Sequence, residues 1–225
     1  MTPHTPGRPV RAVLFDLDGT LLDSIPDLSE ACHRMMVELG RAPHSIDTIR
    51  TFVGKGMLNL VRRCLAEHGT ASDAEIAAAV EAFRRHYAAV NGLATTLYEG
   101  VVPALAALQA QGVAMDCVTN KPASFTAPLL ERMGIAGFFG ATVSGDTLPE
   151  KKPHPAPLIH ACELLGVGVA EALMVGDSAN DAEAARAAGM PVLLVTYGYS
   201  EGMPVDSIEC DGLLSSLVDA LPRIR

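Results

Sequence analysis

Val10-Arg11-Ala12-Val13-Leu14-Phe15-Asp16-Leu17-Asp18-Gly19-Thr20 is the stretch on which the fold turns. Its first six residues are mostly apolar and partly β-branched, and the run stops abruptly at Asp16, as a strand buried on both faces of a parallel sheet does. Three later runs repeat the pattern: Val113 to Val118, Ala172 to Val175 and Pro191 to Val195. Helical patterns separate them, among them Val101 to Gln111 closed by Gly112 and Ala179 to Ala188 closed by Gly189, where glycine suits the left-handed position after a helix. Strand alternating with helix predicts an α/β fold with a Rossmann-like, doubly wound parallel sheet. Ligands of such sheets bind beyond the carboxyl ends of the strands, so the residues that follow each run are where chemistry belongs.

Between about Ser24 and Leu93 the alternation stops, and helical signals follow one another with no strand between them. Leu28, Cys32, Met35, Met36 and Leu39 keep helical spacing up to Gly40, with Ser24 as N-cap. Ser72 followed by Glu75 has the capping-box form, and Ile76, Val80, Phe83, Tyr87 and Val90 mark one apolar face behind it. Two shorter patterns, Ser45 to Val53 and Met57 to His68, are split by Gly54-Lys55-Gly56. The expected organisation is therefore a catalytic core of residues 1–21 and 94–225 carrying an all-helical insert, residues 22–93. Met1 to Pro9 precede the first strand and are given no role.

The chain has 225 residues, 49% of them hydrophobic and 19% charged, which is ample for a buried core and too apolar for intrinsic disorder. Twenty-six acidic against seventeen basic residues give a net charge of -9, and no Lys/Arg run resembles a nucleic-acid footprint, so a polyanion partner is excluded. A small anionic substrate needs only a few cations in one pocket. The five cysteines at 32, 64, 117, 162 and 210 form no CxxC pair, and an odd, scattered set suits a reduced cytoplasmic setting. The apolar run Ala12 to Phe15 is too short for a signal peptide, and no segment is long enough to span a membrane.

Four sites of complementary chemistry fall after predicted strands. Asp16 and Asp18 place two carboxylates where the chain leaves the sheet: one can act as nucleophile while the other moves protons, and Gly19 lets the backbone approach a ligand. Thr119-Asn120-Lys121 offers a hydroxyl and backbone N–H groups at a strand-to-helix junction, a natural phosphate seat. Lys151-Lys152-Pro153-His154-Pro155 sets a lysine before a stiff turn, and Gly176-Asp177-Ser178-Ala179-Asn180-Asp181 adds two carboxylates four residues apart at a helix start. Each alone also reads as a turn, a helix cap or a solvated charge. Their convergence on one sheet edge describes phosphoryl-transfer equipment: carboxylates for a hard divalent cation, a hydroxyl and a lysine for phosphate oxygens.

In these residues the chain resembles the haloacid-dehalogenase-like superfamily, whose four motifs are matched in order by Asp16-x-Asp18-Gly19-Thr20, Thr119-Asn120, Lys152-Pro153-x-Pro155 and Gly176-Asp177-x-x-x-Asp181. The resemblance covers nearly the whole chain, the helical insert corresponding to that family's cap domain. Val118-Thr119-Asn120-Lys121-Pro122, Gly145-Asp146 ahead of Lys151 and Thr196-Tyr197-Gly198-Tyr199 are most similar to the wording of its bacterial members that hydrolyse 2-phosphoglycolate.

The resemblance implies a Mg²⁺-dependent phosphoric monoester hydrolase. Asp16 would attack phosphorus to give an aspartyl-phosphate, and Asp18 would protonate the leaving alcohol and then activate water. Asp16, the backbone carbonyl of Asp18, and Asp177 would hold Mg²⁺, with Asp181 supporting the metal or Lys152, and with Gly19 and Thr20 in support. Thr119, Asn120 through its backbone, and Lys152 would bind the phosphoryl oxygens. Gly54, Lys55 and Gly56 are the expected specificity turn of the cap, with Lys55 facing the substrate's carboxylate. Rival readings are another sugar-phosphate phosphatase or mutase on the same core, and a receiver-like module in which a phospho-aspartate is a switch. Asp18 argues against both a dehalogenase and a receiver, since neither has use for a proton donor there. Oligomeric state is not encoded in any of these features.

Overall fold

The computed structural model describes residues 10–67 and 69–224, so Met1 to Pro9, and His68 at the end of its helical pattern, lie outside the described residues. The elements run β1 Ala12–Phe15, β2 Leu22–Asp23, α1 Ile25–Glu38, α2 Ile46–Phe52, α3 Met57–Ala66, α4 Asp73–Val90, β3 Thr96–Leu97, α5 Val101–Ala110, β4 Ala114–Val118 and α6 Ala123–Arg132. They continue with β5 Ala141–Val143, α7 Ala156–Leu165, β6 Ala172–Gly176, α8 Ala179–Ala188, β7 Val192–Val195 and β8 Gly212–Leu214.

Six strands form one parallel sheet in the order β5-β4-β1-β6-β7-β8. All four residues of β1 are fully buried because each face is covered. Val13 and Phe15, with Val175 and Val195, pack on Leu105, Leu108, Leu129 and Leu130 of α5 and α6. The alternate residues Ala12 and Leu14, with Met174 and Leu194, pack on Leu158, Cys162, Ala182 and Ala185 of α7 and α8. This period of two is what a doubly covered strand requires. Burying each such Leu, Val or Phe contributes about 1.5–3 kcal/mol.

The register fixes the site. Phe15 lies opposite Cys117 on one side and Val175 on the other, so Asp16, Thr119 and Asp177 leave three neighbouring strands at nearly one level. The chain turns to one side of β1 for β4 and β5 and to the other for β6 to β8, which makes the β1/β6 boundary the switch point where ligands bind.

From Ile25 to Val90 the insert is helical, as its spacing predicts, but its first two residues, Leu22 and Asp23, form strand β2. Leu28, Cys32, Met35 and Met36 of α1 are buried against Phe83, Tyr87 and Val90 of α4 in a core separate from those of the sheet. Ser72 and Glu75 form the full capping box. Ser24 stands at the N-cap position of α1 but makes no cap bond; its hydroxyl donates instead to Asp18 Oδ1 at 2.5 Å. Two features escape the sequence reading. The antiparallel pair β2–β3 joins the two ends of the insert, Asp23 lying opposite Thr96. Beside it, the buried Asp27 carboxylate accepts from the N–H groups of Gly92, Ala94 and Thr95 at 2.9, 2.9 and 3.0 Å and from the Thr95 hydroxyl, tying the first helix to the returning chain. Among the described residues no helix is long and apolar enough to cross a membrane.

Candidate active site

Asp16 ends β1 inside a ring of charged groups. Lys152 Nζ, itself buried, donates to Asp16 Oδ1 at 2.7 Å, to Asp181 Oδ1 at 2.7 Å and to the Val118 carbonyl at 2.6 Å. All three N–H groups of the ammonium are therefore satisfied, and its position is fixed. The neighbouring Lys151 is exposed. Burial works against the Lys152 charge, but Asp16 and Asp181 outweigh it and hold its pKa above the ordinary lysine value.

Asp181 is fully employed. Besides Lys152, its Oδ2 accepts from Asp177 N, Ser178 N and Ser178 Oγ at 3.2, 3.1 and 2.9 Å, so it caps α8 and braces Lys152 at once. Asp177 is anchored mainly through Oδ2, by Tyr199 N at 2.7 Å and Ser200 N at 3.3 Å, while its Oδ1 accepts only a long bond from the Thr20 hydroxyl at 3.4 Å. Gly19, at φ +95°, has no room for a Cβ because the Asp177 carboxylate occupies that space. The glycine thus lets the first motif close on the fourth.

The residues present fit a divalent cation. Ligand oxygens of Asp16, Asp177 and Asp181 lie within 4.8 Å of one another. Because Asp181 is spent on Lys152 and the α8 cap, the oxygens open to an ion are Asp16 Oδ2 and Asp177 Oδ1. An all-oxygen donor set suits a hard ion. Burial, reinforced by Asp181 and Asp16, pushes the Asp177 carboxyl well above the usual carboxylate range, and burial pushes Asp16 up to about 7 despite Lys152. Negative charge concentrated without enough counter-charge is what a bound cation would relieve.

Asp18 sits across the same opening. Its two oxygens receive Lys121 Nζ at 2.9 and 2.8 Å, and Oδ1 also receives the Ser24 hydroxyl. Lys121 is buried; burial opposes its charge, but Asp18 and the Tyr87 phenol outweigh that and keep it cationic. Thr119 is buried at the end of β4, its hydroxyl accepting from Lys121 N at 3.2 Å. The Asn120 side chain bridges Gly54 O at 3.0 Å and Lys152 O at 2.8 Å, joining the insert to the core.

A cleft opens between insert and sheet. Asp16, Asp18, Thr119, Asn120 and Lys121 line its floor, and Gly54, Gly56, Met57, Leu60, Phe83 and Tyr87 line its roof. Gly54 and Gly56 thus face the site, but Lys55 does not: it is 51% exposed and pairs with Glu201 at 3.2 Å. Arg63 is spent on the Thr51 carbonyl at 2.6 Å and on the Phe52 ring, and Arg62 is exposed. Sequence reading passed over Lys121, Tyr87, Tyr199 and Glu201 as site residues. For Lys121 a signal existed, since it follows the Thr119 hydroxyl by two residues at a strand end; Tyr87 was hidden in an apolar helix face.

The family model for haloacid dehalogenase-like hydrolases matches residues 10–189. A phosphoglycolate phosphatase of Thiobacillus denitrificans is 47% identical over 214 residues, 94% of each chain. Another of that name, from Nitrosospira multiformis, is 44% identical over 219 residues and 96% of each chain. Among solved structures, that of a predicted phosphoglycolate phosphatase from Haemophilus somnus superposes with a TM-score of 0.91 at 32% identity, covering 96% of this chain and 98% of the other. Likeness over nearly the full length, the two-part architecture and the four motifs brought to one sheet edge lead to one conclusion: the chain belongs to the haloacid dehalogenase-like hydrolase family.

Proposed function

We propose that this chain is a Mg²⁺-dependent phosphoric monoester hydrolase that converts 2-phosphoglycolate to glycolate and inorganic phosphate. The carrying observation is the pairing of Asp16 with Lys152 at 2.7 Å, which leaves Asp16 Oδ2 open beside a fixed cation, in a chain 47% identical to a phosphoglycolate phosphatase.

Asp16 Oδ2 attacks phosphorus, the bond to the glycolate oxygen breaks, and Asp18 gives that oxygen a proton. Asp18 then takes a proton from water, which attacks the aspartyl-phosphate and returns the Asp16 carboxylate with free phosphate. Thr119 donates to a phosphoryl oxygen, with the Asn120 backbone beside it, and Lys152, positioned by Asp181 and with its three N–H groups held by Asp16, Asp181 and the Val118 carbonyl, sets its positive charge against the phosphoryl oxygens. Asp16, the Asp18 carbonyl and Asp177 would hold Mg²⁺, which would supply charge neutralisation on the transferring group. Monoester hydrolysis demands accelerations of up to ~10²¹-fold, while a lone acid–base pair supplies ~10² to 10⁴. Nucleophile, lysine and cation must therefore act together.

Residues 22–93 act as the cap over a core of residues 1–21 and 94–225, and the protein works in the reducing cytoplasm, consistent with five cysteines that are all free. The test is a panel of phosphate monoesters assayed for released phosphate with Mg²⁺ and with chelator. Phosphoglycolate should lead the panel and chelator should silence it. A sugar phosphate hydrolysed faster would overturn the substrate, and undiminished activity in chelator would overturn the metal.

A further inference from the structure

Phosphoglycolate has two anionic ends, and the groups described so far serve only the phosphate. The carboxylate lies two bonds beyond the oxygen that Asp18 must protonate. A receptor for it must therefore stand close to Asp18, inside the cleft, and be cationic or rich in donors.

One corner of the cleft meets all of these conditions. Lys121 Nζ lies 2.8 and 2.9 Å from the two Asp18 oxygens and is the one cation among the described residues lining the cleft. An ammonium has three N–H donors; two are used on Asp18, and the third has no closer acceptor than the Tyr87 phenol. The same nitrogen lies 4.9 Å from the centre of the Tyr87 ring. Tyr87 is 1% exposed and lines the cleft, and its hydroxyl makes no hydrogen bond of ordinary length, only a longer contact with the Lys121 ammonium, which leaves a buried polar group short of a full partner. The ring is held by stacking on Phe83 at 5.4 Å and by an edge contact with Phe125 at 4.9 Å, so the hydroxyl is aimed in advance.

We propose that Lys121 Nζ and Tyr87 Oη together form the receptor for the substrate's carboxylate, each donating one hydrogen bond to it. The proposal rests on the phosphoglycolate reading and moves specificity from the Gly54-Lys55-Gly56 turn to a lysine of the core and a tyrosine of the insert. Selection and cap position are thereby coupled, since the receptor is complete only when α4 lies over the loop after β4.

The experiment compares 2-phosphoglycolate with 2-hydroxyethyl phosphate, which keeps an alkoxide leaving group of similar size and lacks the carboxylate. Wild-type enzyme should prefer the first. Tyr87→Phe keeps both ring contacts and removes one oxygen; it should lower kcat/KM for phosphoglycolate roughly tenfold to a hundredfold, the range for a hydrogen bond to a charged group, and change that for 2-hydroxyethyl phosphate far less. Lys121→Gln should lower both, because Lys121 also touches Asp18, but phosphoglycolate by the larger factor. Equilibrium binding gives a readout without turnover: 3-phosphonopropionate should lose affinity in both variants by more than propylphosphonate does. Equal losses on the ligands with and without the carboxylate, or a preference that survives both substitutions, would overturn the receptor. A wild-type enzyme that treats the two esters alike would overturn the phosphoglycolate assignment itself, and the receptor with it.

Discussion

Lys152 Nζ donates at 2.7 Å to one oxygen of Asp16, Oδ1, from 136 residues further along the chain. The bond assigns the two carboxylate oxygens different tasks: Oδ1 is tethered to a buried cation, and Oδ2 is left facing the cleft. Asp181 receives the same ammonium at 2.7 Å, so the nucleophile is oriented by a lysine that is itself oriented by the cap of a helix.

Asp16→Asn should therefore abolish turnover without unfolding the protein. The amide oxygen can still accept from Lys152, but an amide does not attack phosphorus, and the loss should be on the order of 10⁴-fold or more, as for other covalent nucleophiles. Phosphate release and circular dichroism, measured on the same sample, check both halves. Residual activity within tenfold of wild type would remove Asp16 from the covalent step.

Divalent cation should stabilise the fold as well as support hydrolysis, because Asp16, Asp177 and Asp181 are clustered and desolvated while Lys152 pairs only with Asp16 and Asp181. At a hundred times its Kd an ion that binds only the native state contributes about 2.7 kcal/mol, which for a chain of this size raises Tm by roughly 5–10 °C. Asp177→Asn should lose most of that increment in a melting titration with Mg²⁺. Ca²⁺ should raise Tm yet inhibit, since its larger and looser shell misplaces the nucleophile. An equal Mg²⁺ increment in Asp177→Asn would place the ion elsewhere.

The sequence made the central sheet legible because a doubly buried strand is a continuous apolar run and its end is marked by a sudden acid. It did not reveal β5 or β8, edge strands of three residues each, too short to show any period. The β2–β3 pair is two residues per strand, joined across more than seventy residues, and has no local signature at all. The same distinction governs the site. Motif residues could be placed because each follows a strand, whereas the partners of Lys121, Lys55 and Tyr199 are set by contacts 103, 146 and 175 residues away. Lys55 shows the consequence: its flanking glycines do reach the cleft, and its charge is drawn to Glu201 outside it.

That ion pair ties the turn to the core. Glu201 sits at φ +52°, receives Lys55 at 3.2 Å and also bonds the Asn180 side chain. Half-exposed pairs of this kind are worth at most about 1 kcal/mol. Lys55→Ala should thus raise KM by no more than roughly fivefold, and by the same factor for phosphoglycolate and 2-hydroxyethyl phosphate. A loss confined to phosphoglycolate would return the carboxylate contact to Lys55.

Asp116 carries the clearest pH dependence outside the site. It lies on β4, fully buried, on the face covered by α7, and its carboxylate oxygens make no hydrogen bond of ordinary geometry, only poorer contacts with the Cys117 and Val143 amides. Burial pushes its pKa up to about 7, offset in part by the nearby Cys117 and Val143 amides and by His160. The unfolded chain has the ordinary value of 3.8, so between these two pH values the native state binds more protons than the unfolded one. Stability contributed by the protonated acid is therefore complete below pH ~4, is lost progressively as pH rises toward ~7, and is flat above. The whole swing amounts to about 4 kcal/mol at most, from 1.36 kcal/mol per unit. Asp116→Asn cannot ionise and should remove this component, whatever the amide costs in absolute stability. Urea unfolding at pH 5 and pH 8 should show the variant gaining on wild type with rising pH. If the difference between the two proteins is the same at both values, Asp116 does not titrate in the native fold and its charge has a partner in solution.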